Sequence, residues 1–443
     1  MKKILLSLMA AAALMLSSCK PNQPEVLYKI AVQITQYGEP LAMVAPVTVT
    51  SASASYSNET DETGKAEFSL PAGSYTASVS FKVENTNYNG SAPFVVEPVQ
   101  PEGEEVPVIE VPLTASNTSA LILKEVYVGG CKKDDGTSNY FYDKYIIIYN
   151  NSAEEVDASR MCITMGRSTH TAAANKYEVT DGIIEYEAAG WTPANFGIWW
   201  FQDGVEVKIP AYSQITVALT GAIDHTKTYT NSVDLSGVDY CFYDKESGFN
   251  LAAAYPAPAA DIPETHYMKT YMFGQGTVWA PNMDDAGLMI LTPPDGVDIK
   301  DWVKTEDNFD NRGTNKSTKY AKIPTSWVMD AMEGWPAADE TKYVRRFPAA
   351  VDAGYNIMVK NLGYTQYRNV DKEATEAIAE NEGKLVYNYA GAVSEEDTDP
   401  SGIDAEASIA NGAKIVYMDT NNSANDFHQR KVASLKKAAE LPE

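Results

Sequence analysis

Asp307, Asp310 and Asn311 stand in the run Asp307-Asn308-Phe309-Asp310-Asn311-Arg312-Gly313, which sets side-chain oxygens at near-alternate positions ahead of a glycine. Calcium loops are built this way, because a hard cation gathers several oxygens from one short turn. The closing bidentate Glu of an EF-hand is missing at the required spacing, and a solvated Asx-turn loop uses the same residues. Asp419-Thr420-Asn421-Asn422-Ser423-Ala424-Asn425-Asp426 is similar in composition and suits either ion or sugar contact or a structural turn. Tyr140-Phe141-Tyr142, Trp191 and Trp199-Trp200-Phe201 offer flat faces for a sugar ring, although filling a β core is the plainer use of such residues. No Gly-x-Ser-x-Gly, His-Glu-x-x-His or glycine-rich phosphate loop occurs. His170, His225, His266 and His428 stand apart from one another. No catalytic set emerges, no cofactor is indicated, and a two-carboxylate glycosidase has no pair at a designated spacing.

Composition bounds the classes that remain. The 443 residues suggest two or three domains, at roughly 100–200 residues each. An apolar fraction of 44% against 21% charged is that of a globular chain. With 35 Lys plus Arg against 60 Asp plus Glu the formal charge is −25. A strongly acidic chain repels phosphate backbones, which argues against nucleic acid as a partner.

The N-terminus carries an address. Met1-Lys2-Lys3 is a cationic start, and Ile4 to Leu16 is apolar but for Ser7, too short to span a bilayer as a mature helix. Leu16-Ser17-Ser18-Cys19 follows and resembles the lipobox of bacterial lipoproteins. The resemblance implies removal of residues 1–18, lipid attachment at Cys19 with up to three acyl chains, and firm anchoring. Lys20 at the next position implies no inner-membrane retention, hence the outer membrane. Residues 19–26 read as a short polar tether. Some such lipoproteins carry an acidic cluster here that sends them to the cell surface; only Glu25 hints at it, so the leaflet stays open.

An exported chain meets an oxidising compartment, where one pair among Cys131, Cys162 and Cys241 could join. Their spacings match no disulfide framework and no zinc pattern. Three reduced, buried thiols are the expectation.

Strict alternation begins at Tyr28, with Ile30, Val32 and Ile34 apolar against Lys29, Gln33 and Thr35. A period of two predicts a half-buried strand. Ala66, Phe68 and Leu70 repeat it, as do Tyr75, Ala77, Val79 and Phe81, with turn signals between, and Val106 to Leu113 reads as a closing strand. Short strands at this spacing predict an antiparallel β-sandwich over residues 27–115. The stretch from Thr60 to Thr76, with its Asp61-Glu62-Thr63-Gly64 turn, Pro71-Ala72-Gly73 turn and Tyr75-opened strand, resembles the hairpin of carboxypeptidase-regulatory-like (transthyretin-like) domains. Those are mostly spacer or stability modules, so the resemblance implies no chemistry for this part.

Thr114 to Ser119, small and polar, reads as the link to a second domain over 119–443. There Leu121 to Val128, Tyr145 to Asn150 and Ile215 to Leu219 predict strands, and the continuous apolar run at Tyr145 predicts cover on both faces. Residues 250–263 and 294–318 read as long loops. Asp371 to Gly383 predicts a helix, capped by Asp371 and ended by Gly383, with Leu385, Tyr387 and Tyr389 resuming a strand. Ser394 to Glu406 reads as an acidic surface loop, and Lys431 to Lys437 as a basic end that frays.

Lys124-Glu125-Val126, Tyr145-Ile146-Ile147-Ile148-Tyr149-Asn150 and Ile209-Pro210-Ala211 together resemble the lamin-tail type of immunoglobulin-like domain, with Ile147 where that family usually has Glu. The whole combination, including the Asp419–Phe427 tail, resembles a Bacteroidota lipoprotein family of unknown function. The expected fold is mainly all-β: two β-sandwich domains, the second Ig/lamin-tail-like with long insertions and a short helix. The expected role is non-enzymatic: a lipid-anchored outer-membrane or cell-surface binding or accessory protein, partnered by a TonB-dependent outer-membrane transporter or another envelope protein. A fimbria-like adhesion component and a carbohydrate-active hydrolase are the rival readings.

Overall fold

The computed structural model describes residues 26–436 apart from 37, 84–85, 99–105, 167–176, 178, 181–182, 275, 284–285, 312–318 and 344. The signal segment, Cys19, the tether up to Glu25, His170, Arg312 and Gly313 lie outside the described residues. The fold is all-β: strands dominate, and the longest α-helix among the described residues, Ala405–Ala410, has six residues.

Alternation in the first part does what a period of two requires. Tyr28–Gln36 pairs antiparallel with Lys65–Leu70, setting Ile30 opposite Phe68 and Val32 opposite Ala66, and runs parallel to Val108–Pro112. A second sheet follows the order Ser55–Glu59, Pro46–Thr50, Gly73–Val83, Thr86–Val96 and Thr114–Asn117. Ile30, Val32, Ile34, Phe68 and Leu70 of one sheet meet Val47, Val49, Tyr75, Ala77 and Val79 of the other in a single core, each large side chain stabilising by roughly 1.5–3 kcal/mol. Asp61 Oδ1 accepts from Thr63 N (2.8 Å) and Lys65 N (3.2 Å) to close the predicted turn. Gly64 has φ +80°, and a Cβ there would lie 1.9 Å from the Leu41 carbonyl oxygen, so only glycine fits.

The segment expected to link the two parts is a strand instead. Thr114–Asn117 pairs with Thr86–Asn89 and extends the first sheet. Its short polar residues carry no apolar alternation that would mark a strand.

The larger part is built on one branched sheet, with three two-stranded sheets beside it among the described residues. Its order is Asn356–Met358, Val328–Pro336, Gly287–Leu291, Cys162–Gly166, Trp191–Trp200, Tyr267–Met272, Tyr240–Phe242, Gln214–Ala218, Tyr145–Asn150, Leu121–Tyr127, Thr365–Arg368 and Phe427–Arg430. The sheet folds over itself: Leu123 N donates to Asp330 Oδ2 at 2.6 Å, and side chains of both arms share one core around Trp199. Every residue of Leu121–Tyr127 and Tyr145–Asn150 is buried, as a continuous apolar run predicts for a strand covered on both faces.

Four local expectations are corrected. The helix stops early: Lys372–Glu376 is capped by Asp371 as predicted, but a separate 3-10 turn follows at Ala379–Asn381, and Tyr387 makes only an isolated bridge to Ile403. Asn381 breaks the helix by donating to the Thr375 and Lys414 carbonyls. Residues 294–318 hold a helix, Ile299–Trp302, and a strand, Phe309–Asn311. The acidic stretch is partly internal: buried Asp399 accepts from Val370 N at 2.9 Å, and Asp404 caps Ala405–Ala410. The basic end docks: Ala433 is buried, Ser434 N donates to Glu125 Oε1 (3.0 Å) and Leu435 N to the Tyr145 hydroxyl (3.3 Å).

Candidate functional site

A cleft of about 800 Å³ opens where the first β unit meets the larger one. The first unit contributes Lys82 and Asn87 from the ends of its long hairpin, and the larger unit contributes the Asp371 helix start and the Val416–Thr420 segment. Reciprocal bonds hold that segment: Asn151 Nδ2 donates to the Tyr417 carbonyl (2.9 Å) and Tyr417 N donates to Asn151 Oδ1 (2.8 Å). Thr375 Oγ1 donates to the Val416 carbonyl at 3.0 Å. Two amides of the first unit pin the same strip, Asn87 Nδ2 on the Asp419 carbonyl (2.7 Å) and Asn89 Nδ2 on the Thr420 carbonyl. The walls are therefore preset before any ligand arrives, which lowers the ordering cost of binding.

Beneath the strip lies a fully buried Arg368. Its guanidinium pairs with Asp330, lies 3.5 Å from Asp426 and 3.7 Å from Asp419, and donates to the Leu123 (2.8 Å) and Met418 (2.9 Å) carbonyls. Asp330 also accepts from Leu123 N and Ala331 N, and Asp426 from Thr420 N and Oγ1. Burial raises the carboxyls of Asp330 and Asp426, with Arg368 opposing it. Asp419 is pushed up to about 7 by burial and by Asp330, against Arg368.

A second cavity of about 890 Å³ lies between the same units, with Ser78, Ser91 and Thr114 on one side and the Arg345–Glu187 ion pair (2.6 Å) on the other. Hydroxyls and amides aimed from two separate units suit a polar ligand with several donors and acceptors.

The residues singled out in the sequence fall elsewhere or serve the frame. Asp307 sits in the 3-10 turn Glu306–Asn308, while Asp310 and Asn311 are neighbours on a strand opposite Tyr320 and Lys319. Successive strand residues point to opposite faces, so these two do not converge. Among the described residues no group of three or more His, Cys, Asp or Glu side chains is arranged to hold a metal ion. Asp419 to Asp426 forms a structural turn around Arg368, with Asn422 capping Ser423–Asp426. Trp199 and Phe201 are core residues, Trp199 stacked on Phe242 at 4.1 Å. Trp191 packs on Tyr177 and Tyr186, and Tyr140 on Tyr229 and His225. His225 Nδ1 meets the Tyr140 hydroxyl at 2.8 Å, and His428, brought down to about 3 by burial, meets that of Tyr389 at 2.7 Å. His266 Nδ1 meets the Asp239 carbonyl at 2.7 Å. Cys131, Cys162 and Cys241 are free and buried, as expected.

Sequence reasoning missed Arg368, Asp330 and Lys124, the charges that organise the interior. One signal was present: Asp330 interrupts the otherwise apolar Val328-Met329-Asp330-Ala331-Met332, and a charge inside such a strand demands a buried partner.

Residues 213–397 match the family model DUF4876, described as a protein of unknown function. That meets the expectation of kinship with a family of unknown function. A crystal structure of a DUF4876 family protein from Bacteroides thetaiotaomicron VPI-5482 aligns with 94% of this chain and 98% of its own, at 19% identity and a TM-score of 0.53. This likeness shows a shared fold. A DUF3823 family protein from Parabacteroides merdae ATCC 43184 covers 32% of this chain and 68% of its own (11% identity, TM-score 0.18). The shaft pilin SpaA D295N mutant from Lactobacillus rhamnosus GG covers 67% and 94% (10% identity, TM-score 0.17). Scores that low carry no structural argument. No curated protein matches the chain.

Proposed function

We propose that this chain is a non-catalytic lipoprotein of a Gram-negative envelope, held to the outer membrane through Cys19, that binds a small polar ligand in the cleft between its two β units. In this reading the carboxypeptidase-regulatory-like unit is a spacer and the lamin-tail-like unit carries the recognition loops. The observation that carries it is the cleft of about 800 Å³ whose strip, Val416–Thr420, is bonded from both sides. Fixed polar walls of this size suit binding. A TonB-dependent transporter or another envelope protein is the proposed partner, and co-purification with a β-barrel from detergent extracts tests it.

The decisive experiment for the ligand is a thermal-shift screen of the soluble portion against glycans, cobalamins, haem and metals. A binder present at a hundredfold excess over its Kd adds about 2.7 kcal/mol. Ala374 lines the cleft from an exposed helix, so Ala374→Trp should fill it and abolish the shift. A shift that survives in Ala374→Trp places binding outside the cleft and removes this reading. Globomycin-insensitive processing, or a Cys19→Ser chain that still takes up labelled fatty acid, removes the anchor.

A further inference from the structure

We propose that Asp419 is a protonated latch between the two β units, and that its ionisation loosens the contact made through Asn87 and Asn89. The inference stands whatever the cleft binds.

Charge balance comes first. One guanidinium, Arg368, faces three carboxylates: Asp330 from the Val328–Pro336 strand, Asp426 from the Ser423–Asp426 helix, and Asp419 itself. One cation cannot balance three buried anions, so the cluster keeps a proton. Hydrogen bonding then decides which group holds it. Asp330 accepts from Leu123 N, Ala331 N and Arg368, and Asp426 from Thr420 N, Thr420 Oγ1 and Asn422 N. Among the described residues neither side-chain oxygen of Asp419 accepts a hydrogen bond, and its side chain is 4% exposed. An unsolvated anion is the costliest of the three, so the proton resides on Asp419.

Position makes that proton matter. The backbone carbonyl of Asp419 takes the Asn87 amide and the next carbonyl takes the Asn89 amide, both from the first unit. Lys82 of that unit attracts the Asp419 charge across the boundary, but it is exposed and therefore screened by solvent. Asp371 and Lys372 line the same cleft beside the strip, where Asp371 N donates to the Val416 carbonyl at 2.9 Å. When Asp419 ionises it must be hydrated, and the cleft is the adjacent source of water. Water entering there separates the strip from Asn87. Burial pushes the folded-state carboxyl of Asp419 up to about 7, well above its ordinary 3.8. The stability of the docked, protonated form is complete below the ordinary value and is lost as pH rises through the folded one.

The test is hydrogen exchange on the intact mature protein between pH 5 and 8.5, corrected for intrinsic rates, reading the segments 86–92 and 419–426. The expected result is a several-fold loss of protection between pH 6 and 8 in the native chain, and none in Asp419→Asn, which keeps the shape without the charge. Equal losses in both chains, or no loss in the native chain, overturn the proposal. Lys82→Met, at an exposed position that leaves the fold intact, supplies a second readout. It should move the transition slightly to higher pH by removing a screened cation that favours ionisation, and a midpoint moved to lower pH also overturns the latch.

Discussion

Lys124 Nζ lies 2.8 Å from Glu406 Oε1 with its own side chain 1% exposed, and three tyrosine rings close around it: Tyr149 at 5.8 Å, Tyr367 at 5.6 Å and Tyr417 at 5.6 Å. Burial works to raise the Glu406 carboxyl, but the neighbouring ammonium prevails and holds it below the usual range. Lys124→Met removes the ion pair, the bond to Gln214 and the cation–ring attraction together. Since Glu406 is about a third exposed and recovers some hydration, the loss should be about 2 kcal/mol, read as a lower denaturation midpoint. An unchanged midpoint would show the cage to be ornamental.

Arg368→Met should be far more severe. It strands Asp330, Asp419 and Asp426 without their cation, at a cost of about 3–5 kcal/mol. The carboxylates left behind must bind protons to stay buried, so the deficit relative to the native chain should widen as pH rises from 5 to 8. Parallel chemical melts at the two pH values check it, and a pH-independent deficit contradicts the charge argument.

Asn87→Ala cuts one pin between the units and leaves the Asp419 carbonyl without its donor, an expected loss of about 1–3 kcal/mol. The damage should be local. Limited proteolysis should cleave near 118–120 faster than in the native chain, while near-ultraviolet signals from Trp199 and Trp279, both deep in the larger core, stay unchanged.

The three internal thiols should be inert. Burial pushes Cys131 and Cys241 up to about 12 and raises Cys162 as well, and the thiolate is the reactive species. Iodoacetamide at pH 8 should label none of them in the native protein and all of them in denaturant, scored by peptide mass. Native labelling at any one position means that strand opens locally.

Much of the frame was legible because period two and continuous apolar runs report burial directly. Tyr28–Gln36, Lys65–Leu70 and Tyr145–Asn150 all follow from that rule. Ser55–Glu59 and Thr114–Asn117 did not, because polar strands at a sheet edge leave no apolar trace. The Asp371 cap was visible, yet the length of its helix was not, since Asn381 stops it through the Lys414 carbonyl, far along the chain. The cleft was illegible for the same reason. Its strip is fixed by Asn87 and Asn151, and nothing local to Val416–Thr420 announces either partner.

The docking of Ser434 onto Glu125 joins residues 309 positions apart, at the Leu121–Tyr127 strand of the larger sheet. Synthesis is vectorial, so that strand emerges long before the segment that completes its surroundings. Until the Ser434 segment is made, Glu125 therefore lacks one of its native partners. A chain cut before Phe427 would leave the Thr365–Arg368 edge unpaired, an open template for association and a target for proteases.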